Sequence, residues 1–241
     1  MKYIKLKPLK IGHKGASLIA PENTLLAFQK AIDLKADYVE FDLHLTRDNE
    51  IIICHDADTL RTTGIKKVIK ETTLGELQRL DAGQGEKIPT LKELIQLSKG
   101  KLNLQPEIKA QGMDELIVDM LKRNNLMDTT IISSFDLTEL LKVKALDSRI
   151  KIGYLIPSEI TRINLFKRFI HKALKNDFYA IHPHYNSLTP EIVNDAHDNG
   201  LKINVWTVDE EEIIRKLIEF GVDGIITDDL DLLNKILENL F

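Results

Sequence analysis

The chain carries a single cysteine, Cys54, in 241 residues, so neither an internal disulfide nor a thiolate metal cluster can form within it. Cys54 is then read as a small buried apolar residue. No basic run is longer than a pair, and 33 basic residues against 37 acidic ones give a net charge of −4. A nucleic-acid footprint or a polybasic membrane patch is therefore not expected. No apolar stretch approaches the roughly 18 residues needed to cross a bilayer, and the Lys-punctuated start has no apolar centre of a secretory signal. A cytoplasmic protein, monomeric or homodimeric, is expected. Twelve glycines and seven prolines are too few for long linkers or disorder. Neither a G-x-G-x-x-G after a strand nor a Walker loop is present, so dinucleotide and nucleoside triphosphate binding are not indicated.

What is present is an alternation of short β-branched runs with amphipathic stretches of about ten to fourteen residues, the pattern of βαβ units around a parallel sheet. Strand-like runs fall at 10–13, 38–45, 51–55, 102–108, 130–135, 151–156, 179–182, 202–208 and 224–227. Helix-like runs fall at 24–34, 91–97, 115–122, 137–146, 164–175, 190–198, 210–220 and 230–240. One strand lacks a helix: 51–55, joined to 38–45 by the turn-rich Thr46-Arg47-Asp48-Asn49-Glu50. That connection is too short for a parallel crossover and suits an antiparallel hairpin. The reading is a single domain over 1–241, a (β/α)8 TIM barrel with a small inserted segment, roughly 46–88, between the second strand and its helix. Asn23 or Thr24, Thr90 and Thr189-Pro190 are the helix-start signals, and Gly100, Gly200 and Gly221 the stops.

In such a barrel the strand ends converge on one face. Those ends carry His13-Lys14, Glu40-Phe41-Asp42, Glu107-Ile108-Lys109, Ser133-Ser134, His182 and His184, Trp206 and Thr227-Asp228. Glu40 and Asp42, two apart on a strand, share one face. Outward, beneath the helices, they would be buried without partners at a cost of several kcal/mol. Inward, they and Glu107 could hold a cation, and an all-carboxylate set suits Mg²⁺ or Ca²⁺ rather than Zn²⁺. An ion-pair network with Lys14 and Lys109 is the alternative reading of the same residues. If the hairpin turns near Asp48, positions 42 and 54 are opposite each other, which brings His55 toward the carboxylates. Two imidazoles, His13 and His55, suit acid/base chemistry, and the two lysines suit a phosphate. The constellation fits phosphoryl transfer.

Several ordered motifs, between about residue 11 and 229, resemble the glycerophosphodiester phosphodiesterases: His13-Lys14-Gly15-Ala16, Pro21-Glu22-Asn23-Thr24, Glu40-Phe41-Asp42 with Thr46-Arg47-Asp48, His55-Asp56 with Arg61-Thr62-Thr63, Ile88-Pro89-Thr90-Leu91, Glu107-Ile108-Lys109, Asn204-Val205-Trp206-Thr207-Val208 and Gly224-Ile225-Ile226-Thr227-Asp228. The resemblance implies the same barrel, with His13 and His55 as general acid and base and Glu40, Asp42 and Glu107 as ligands of one divalent cation. It also implies that Lys109 touches the substrate, that Trp206 lines the pocket near the glycerol, and that Glu22 and Asn23 buttress the site. Members of the family carry His-Arg where this chain has His13-Lys14; Lys keeps the charge and loses the two-pronged fork. The implied reaction is hydrolysis of a glycerophosphodiester such as glycerophosphocholine or glycerophosphoethanolamine to sn-glycerol 3-phosphate and an alcohol. A lysophospholipase D activity would need a lipid-accepting rim, and the insertion, with Asp58, Arg61, Lys66, Lys67, Lys70 and Glu71, reads as polar. A Schiff-base aldolase built on Lys109 and a catalytically dead binding barrel are the competing classes.

Overall fold

The computed structural model describes residues 7–241; Met1–Leu6, which hold most of the Lys-punctuated start, lie outside the described residues. Nine strands form: β1 (Leu9–His13), β2 (Tyr38–Leu45), β3 (Ile51–Ile53), β4 (Asn103–Ile108), β5 (Ile131–Ser134), β6 (Lys151–Ile156), β7 (Ala180–Pro183), β8 (Lys202–Val205) and β9 (Gly224–Thr227). Eight are parallel and follow the order β1-β9-β8-β7-β6-β5-β4-β2, and β1 pairs with β2 to close the ring. The helices that follow the barrel strands are α1 (Leu25–Asp33), α4 (Leu91–Ser98), α5 (Asp114–Arg123), α6 (Leu137–Leu146), α7 (Ile163–Lys175), α8 (Pro190–Asp198), α9 (Glu211–Phe220) and α10 (Leu230–Leu240). This is the expected (β/α)8 barrel. Two short helices, α2 (Leu60–Thr63) and α3 (Leu74–Leu77), belong to the excursion after β2.

β2 runs past the barrel rim, and β3 pairs antiparallel with that extension, Leu43 opposite Ile53 and Leu45 opposite Ile51. The Cys54 N–H then donates to the Asp42 carbonyl at 3.0 Å, the facing of 42 and 54 that a turn near Asp48 requires. β3 ends at Ile53 and β8 at Val205, earlier than the expected 55 and 208. Past Ile53 the chain leaves the sheet and carries His55 into the cavity at the barrel mouth, where Trp206, still bridged to His184 just past the end of β8, also lies.

The alternation along β2 sorts its side chains. Val39, Phe41 and Leu43 join the core between sheet and helices, where the Phe41 ring meets Phe28 of α1 edge-on at 5.9 Å. Burying such a ring contributes roughly 1.5–3 kcal/mol. Tyr38, Glu40 and Asp42 have the opposite parity and enter the barrel, where Ile11, Tyr38, Ile131 and Ile226 plug the interior. The excursion has its own small core of Ile52, Cys54, Ile69, Leu77, Leu80, Ala82 and Ile88. Burial there pushes the Cys54 thiol up to about 12, so it stays an inert thiol.

Threonines cap three of the helices. Thr24 Oγ1 accepts from the Ala27 N–H at 3.2 Å, Thr90 forms a reciprocal box with Glu93, and Thr189 precedes Pro190 in the first turn. Of the two candidates at the first helix the cap is Thr24, which frees the Asn23 side chain for the barrel interior. Among the described residues no helix is long and apolar enough to cross a membrane.

Candidate active site

The end of β1 sets the site's geometry. A Cβ on Gly12 would lie 2.6 Å from the Gly15 carbonyl, so only glycine lets the following loop fold back this closely. Lys14 (φ 55°) and Gly15 (φ 91°) then turn through left-handed conformations. That turn aims the Lys14 N–H at Glu40 Oε2, 3.2 Å away.

Glu40 and Asp42 of β2 and Glu107 of β4 meet in the barrel mouth, 5, 1 and 7% exposed. Register places Asp42 beside Glu107, and one oxygen from each of the three carboxylates lies within 4.8 Å of the others. Oxygens so spaced lie within reach of one hard cation. Lys109 also enters this cluster, its Nζ 2.7 Å from Glu107 Oε1 and 3.2 Å from Asp42 Oδ1. The ion-pair reading is thus realised for Lys109. Lys14 instead pairs with Glu22, at 3.5 Å.

Charge crowding shows in the titration. Burial, reinforced by the Asp42 carboxylate, pushes Glu40 up to about 8. Burial also raises Glu107, to about 7, although Lys109 pulls against it. At Asp42 burial is outweighed by Lys109, His55 and the Asn23 amide, which donates at 2.8 Å, and its carboxyl lies below the usual value. Burial opposes the charge of Lys109, but Glu107 and Asp42 outweigh it and keep the ammonium. A Schiff-base lysine needs the reverse shift.

Both histidines are tied at Nδ1. A carboxylate can only accept, so His13 Nδ1–H donates to Asp228 Oδ1 at 2.8 Å and His55 Nδ1–H to Asp56 Oδ1 at 2.7 Å. Each arrangement leaves Nε2 free of its aspartate; that of His13 is 3.9 Å from Glu40 Oε2. Burial disfavours a charged His13, yet Asp228 and Glu40 outweigh it and raise its pKa. Asp228 is itself gripped by the Ser17 hydroxyl. Asp56 accepts from Arg61 Nε at 2.7 Å, and the same guanidinium clasps both Glu22 oxygens at 2.7 and 2.8 Å. The inserted segment is thereby fastened to the β1–α1 loop across the site.

His13, His55, Lys109 and the three carboxylates line a cavity of about 170 Å³ together with Gln105, Ser133, Phe135, Leu155, Trp206, Thr207 and Ile226. Trp206 Nε1 donates to the His182 carbonyl at 2.8 Å, and Phe135 packs on its ring edge-on at 5.7 Å. Of the residues given a catalytic, metal-binding or substrate-binding role from sequence, His13, Glu40, Asp42, His55, Glu107, Lys109 and Trp206 share this cavity, and Lys14 faces an adjoining one with Ser17, Leu18, Glu22 and Asp228. His182 and His184 do not line it and instead back Trp206, His184 edge-on to its ring at 5.1 Å. His182 packs on Gly153, its pKa lowered by burial to about 3, and His184 stacks on Tyr185. Gln105 had a signal that went unread: it stands two residues before Glu107 and therefore on its face.

The profile of the "Glycerophosphoryl diester phosphodiesterase family" matches residues 13–232. A glycerophosphodiester phosphodiesterase of Caldanaerobacter subterraneus subsp. tengcongensis is 38% identical over 237 residues, covering 93% of this chain and 95% of its own. The crystal structure of glycerophosphodiester phosphodiesterase from Thermotoga maritima superposes with a TM-score of 0.82 at 33% identity, covering 95% and 98% of the two chains. A phosphodiesterase of Oleispira antarctica, solved in complex with the product sn-glycerol-3-phosphate, superposes with a TM-score of 0.86 at 31% identity over 96% and 97%.

Proposed function

The chain belongs to the glycerophosphoryl diester phosphodiesterase family and is an enzyme, a phosphoric diester hydrolase, and from that premise we propose that it hydrolyses water-soluble glycerophosphodiesters, glycerophosphocholine and glycerophosphoethanolamine among them, to sn-glycerol 3-phosphate and an alcohol. The observation that carries the reading is the pairing of two Asp-held imidazoles with a buried acidic triad in one small cavity. The product bound to the Oleispira antarctica phosphodiesterase supports the substrate class.

One histidine Nε2 takes the proton from the attacking oxygen: a water, which gives sn-glycerol 3-phosphate directly, or the substrate's own glycerol 2-hydroxyl, which gives a cyclic phosphate that a water opens in a second step with the two histidines in exchanged roles. The other gives a proton to the oxygen of the departing alcohol as the P–O bond breaks. Asp228 and Asp56 fix the tautomer of each ring, and Asp228 also favours the charged state of His13. The Lys109 ammonium faces the phosphate oxygens. Glu40, Asp42 and Glu107 would hold one divalent cation, Mg²⁺ or Ca²⁺, which when bound supplies positive charge beside the phosphate. Trp206 and Phe135 offer an apolar wall to the carbon side of the glycerol.

A second reading draws on one observation. Leu18 and Ile19 in the β1–α1 loop, and Leu60 and Ile65 in the insertion, are exposed on the mouth side of the barrel, so the rim is less polar than the insertion's charges imply. That rim favours an additional lysophospholipase D activity, on substrates that keep one acyl chain. The test of both readings is turnover of glycerophosphocholine, glycerophosphoethanolamine and lysophosphatidylcholine with Mg²⁺, with Ca²⁺ and with EDTA. Glycerol 3-phosphate from the first two that disappears with EDTA is the expected result. Turnover of the lysolipid alone would replace the first reading with the second, and turnover of none would leave a binding barrel.

A further inference from the structure

Gln105 precedes Glu107 by two residues on β4, so the two side chains share a face, and Lys109 follows just past the end of the strand. Parallel register sets Gln105 directly beside Glu40, and it lines the cavity that holds both histidines and the acidic triad. It is 1% exposed, and neither Oε1 nor Nε2 has a hydrogen-bond partner. A buried polar group left in that state destabilises the fold. Packing does not require it, because Leu155 and Ile226 line the same cavity and Leu or Met would fill the space. The amide is therefore matched to something that enters the cavity.

Its chemistry narrows what that is. A metal ion would take the amide oxygen and leave the NH₂ unmet. A phosphate would take the NH₂ and face the amide oxygen lone pair to lone pair. An alcohol both donates and accepts, so two neighbouring hydroxyls satisfy both ends of one amide. The cavity's size agrees with a small ligand: about 170 Å³, below the roughly 300–1,000 Å³ of pockets for drug-sized molecules.

We infer that Gln105 is a specificity-determining residue whose amide reads the vicinal diol of the glycerol unit, Oε1 accepting from one hydroxyl and Nε2 donating to the other. This rests on the glycerophosphodiester reading above. A site built to hydrogen-bond a hydroxyl discriminates strongly against the analogue that lacks it.

The experiment measures, by calorimetry with Mg²⁺ present, the binding of sn-glycerol 3-phosphate and of propyl phosphate, which lacks both hydroxyls, to the wild type and to Gln105→Met and Gln105→Leu. Wild type should prefer the diol about tenfold or more. The variants should lose that margin on sn-glycerol 3-phosphate and bind propyl phosphate as before. Their melting temperatures should equal or exceed wild type, because an unpartnered amide has been removed. Equal weakening of both ligands would place the amide's role at the phosphate or cation and overturn the inference. Unchanged affinity for sn-glycerol 3-phosphate, or variants that melt well below wild type, would overturn it too, in favour of a water-bound or structural amide. A wild type that binds sn-glycerol 3-phosphate no better than propyl phosphate removes diol recognition itself, whereas one that binds neither phosphate removes the substrate reading on which the inference rests.

Discussion

At the floor of the barrel, Asp223 accepts from His197 Nε2 at 2.7 Å, Lys202 Nζ at 2.9 Å and the Ile203 N–H at 2.9 Å. At the mouth, Glu40 accepts from the Lys14 N–H at 3.2 Å, lies 3.9 Å from His13 Nε2, and shares its surroundings with two more carboxylates. Burial raises both groups. At Asp223 the partners outweigh it and the carboxyl lies below its usual value. At Glu40 the neighbouring charge adds to burial, and the pKa climbs to about 8. The same fold thus surrounds one carboxylate with donors and crowds another with like charge.

If the mouth is built for chemistry and the floor for stability, substitutions at the two ends should fall on different measurements. The largest effect is expected at the histidines. His13→Ala and His55→Ala should each lower kcat on glycerophosphocholine by about 10²–10⁴-fold and leave the melting temperature nearly unchanged. Because the two act on one transition state, the double variant should lose far less than the product of the single losses. A loss confined to KM would mean that the imidazoles bind and do not transfer protons.

Asp228→Asn comes next. The amide keeps the shape, but its NH₂ can donate to His13 Nδ1 and so favour the wrong tautomer; kcat should fall on the order of a hundredfold. Steady-state kinetics across pH would check it, with full activity in the variant showing that Asp228 only packs.

The sharpest contrast pairs Glu40→Gln with Asp223→Asn, both measured metal-free by urea unfolding. Glu40 has a raised folded-state pKa. Its contribution is fully present below the unfolded value near 4.5 and is lost as pH rises through about 8. Glu40→Gln should therefore gain on wild type across that interval, by about 1–3 kcal/mol at its upper end, while it loses cation binding. Asp223 has a depressed pKa. Its contribution is present above the unfolded value of 3.8 and fades as pH falls through the folded one. Asp223→Asn should therefore lose about 1–2 kcal/mol at neutral pH, retain kcat, and approach wild type only below pH 3.8. Parallel pH slopes in the two variants would erase the distinction between the ends.

Much of this arrangement could be read before any coordinates. Glu40 and Asp42 share a face by parity alone, and burying them outward would have been costly, so their inward direction was legible. His55 followed from the symmetry of the hairpin about Asp48. The partner of His13 was not legible, because 215 residues separate it from Asp228 and only barrel closure through β1 and β9 joins them. Nor was the clasp of Arg61 on Glu22, made between an irregular excursion and a loop, where no periodicity constrains direction. Exposure of Leu18, Ile19, Leu60 and Ile65 escaped notice for a similar reason: composition showed the insertion's charges, and which side chains face outward in a loop is set by tertiary packing.

The smallest expected effect concerns Lys14, and it tests how sharply the mouth is divided within itself. Its ammonium lies 3.5 Å from Glu22 and faces the cavity shared with Ser17 and Asp228, beside the one that holds the acidic triad. Glu22 is already clasped by Arg61 at both oxygens, so Lys14 can turn toward a phosphate without leaving that carboxylate unpartnered. Lys14→Arg restores a planar fork at unchanged charge and should lower KM severalfold with kcat nearly constant, a gain of about 1 kcal/mol or less. Lys14→Ala should raise KM by a comparable factor. If neither substitution moves KM, Lys14 serves only the Glu22 network, and phosphate is held by Lys109 and the cation site alone.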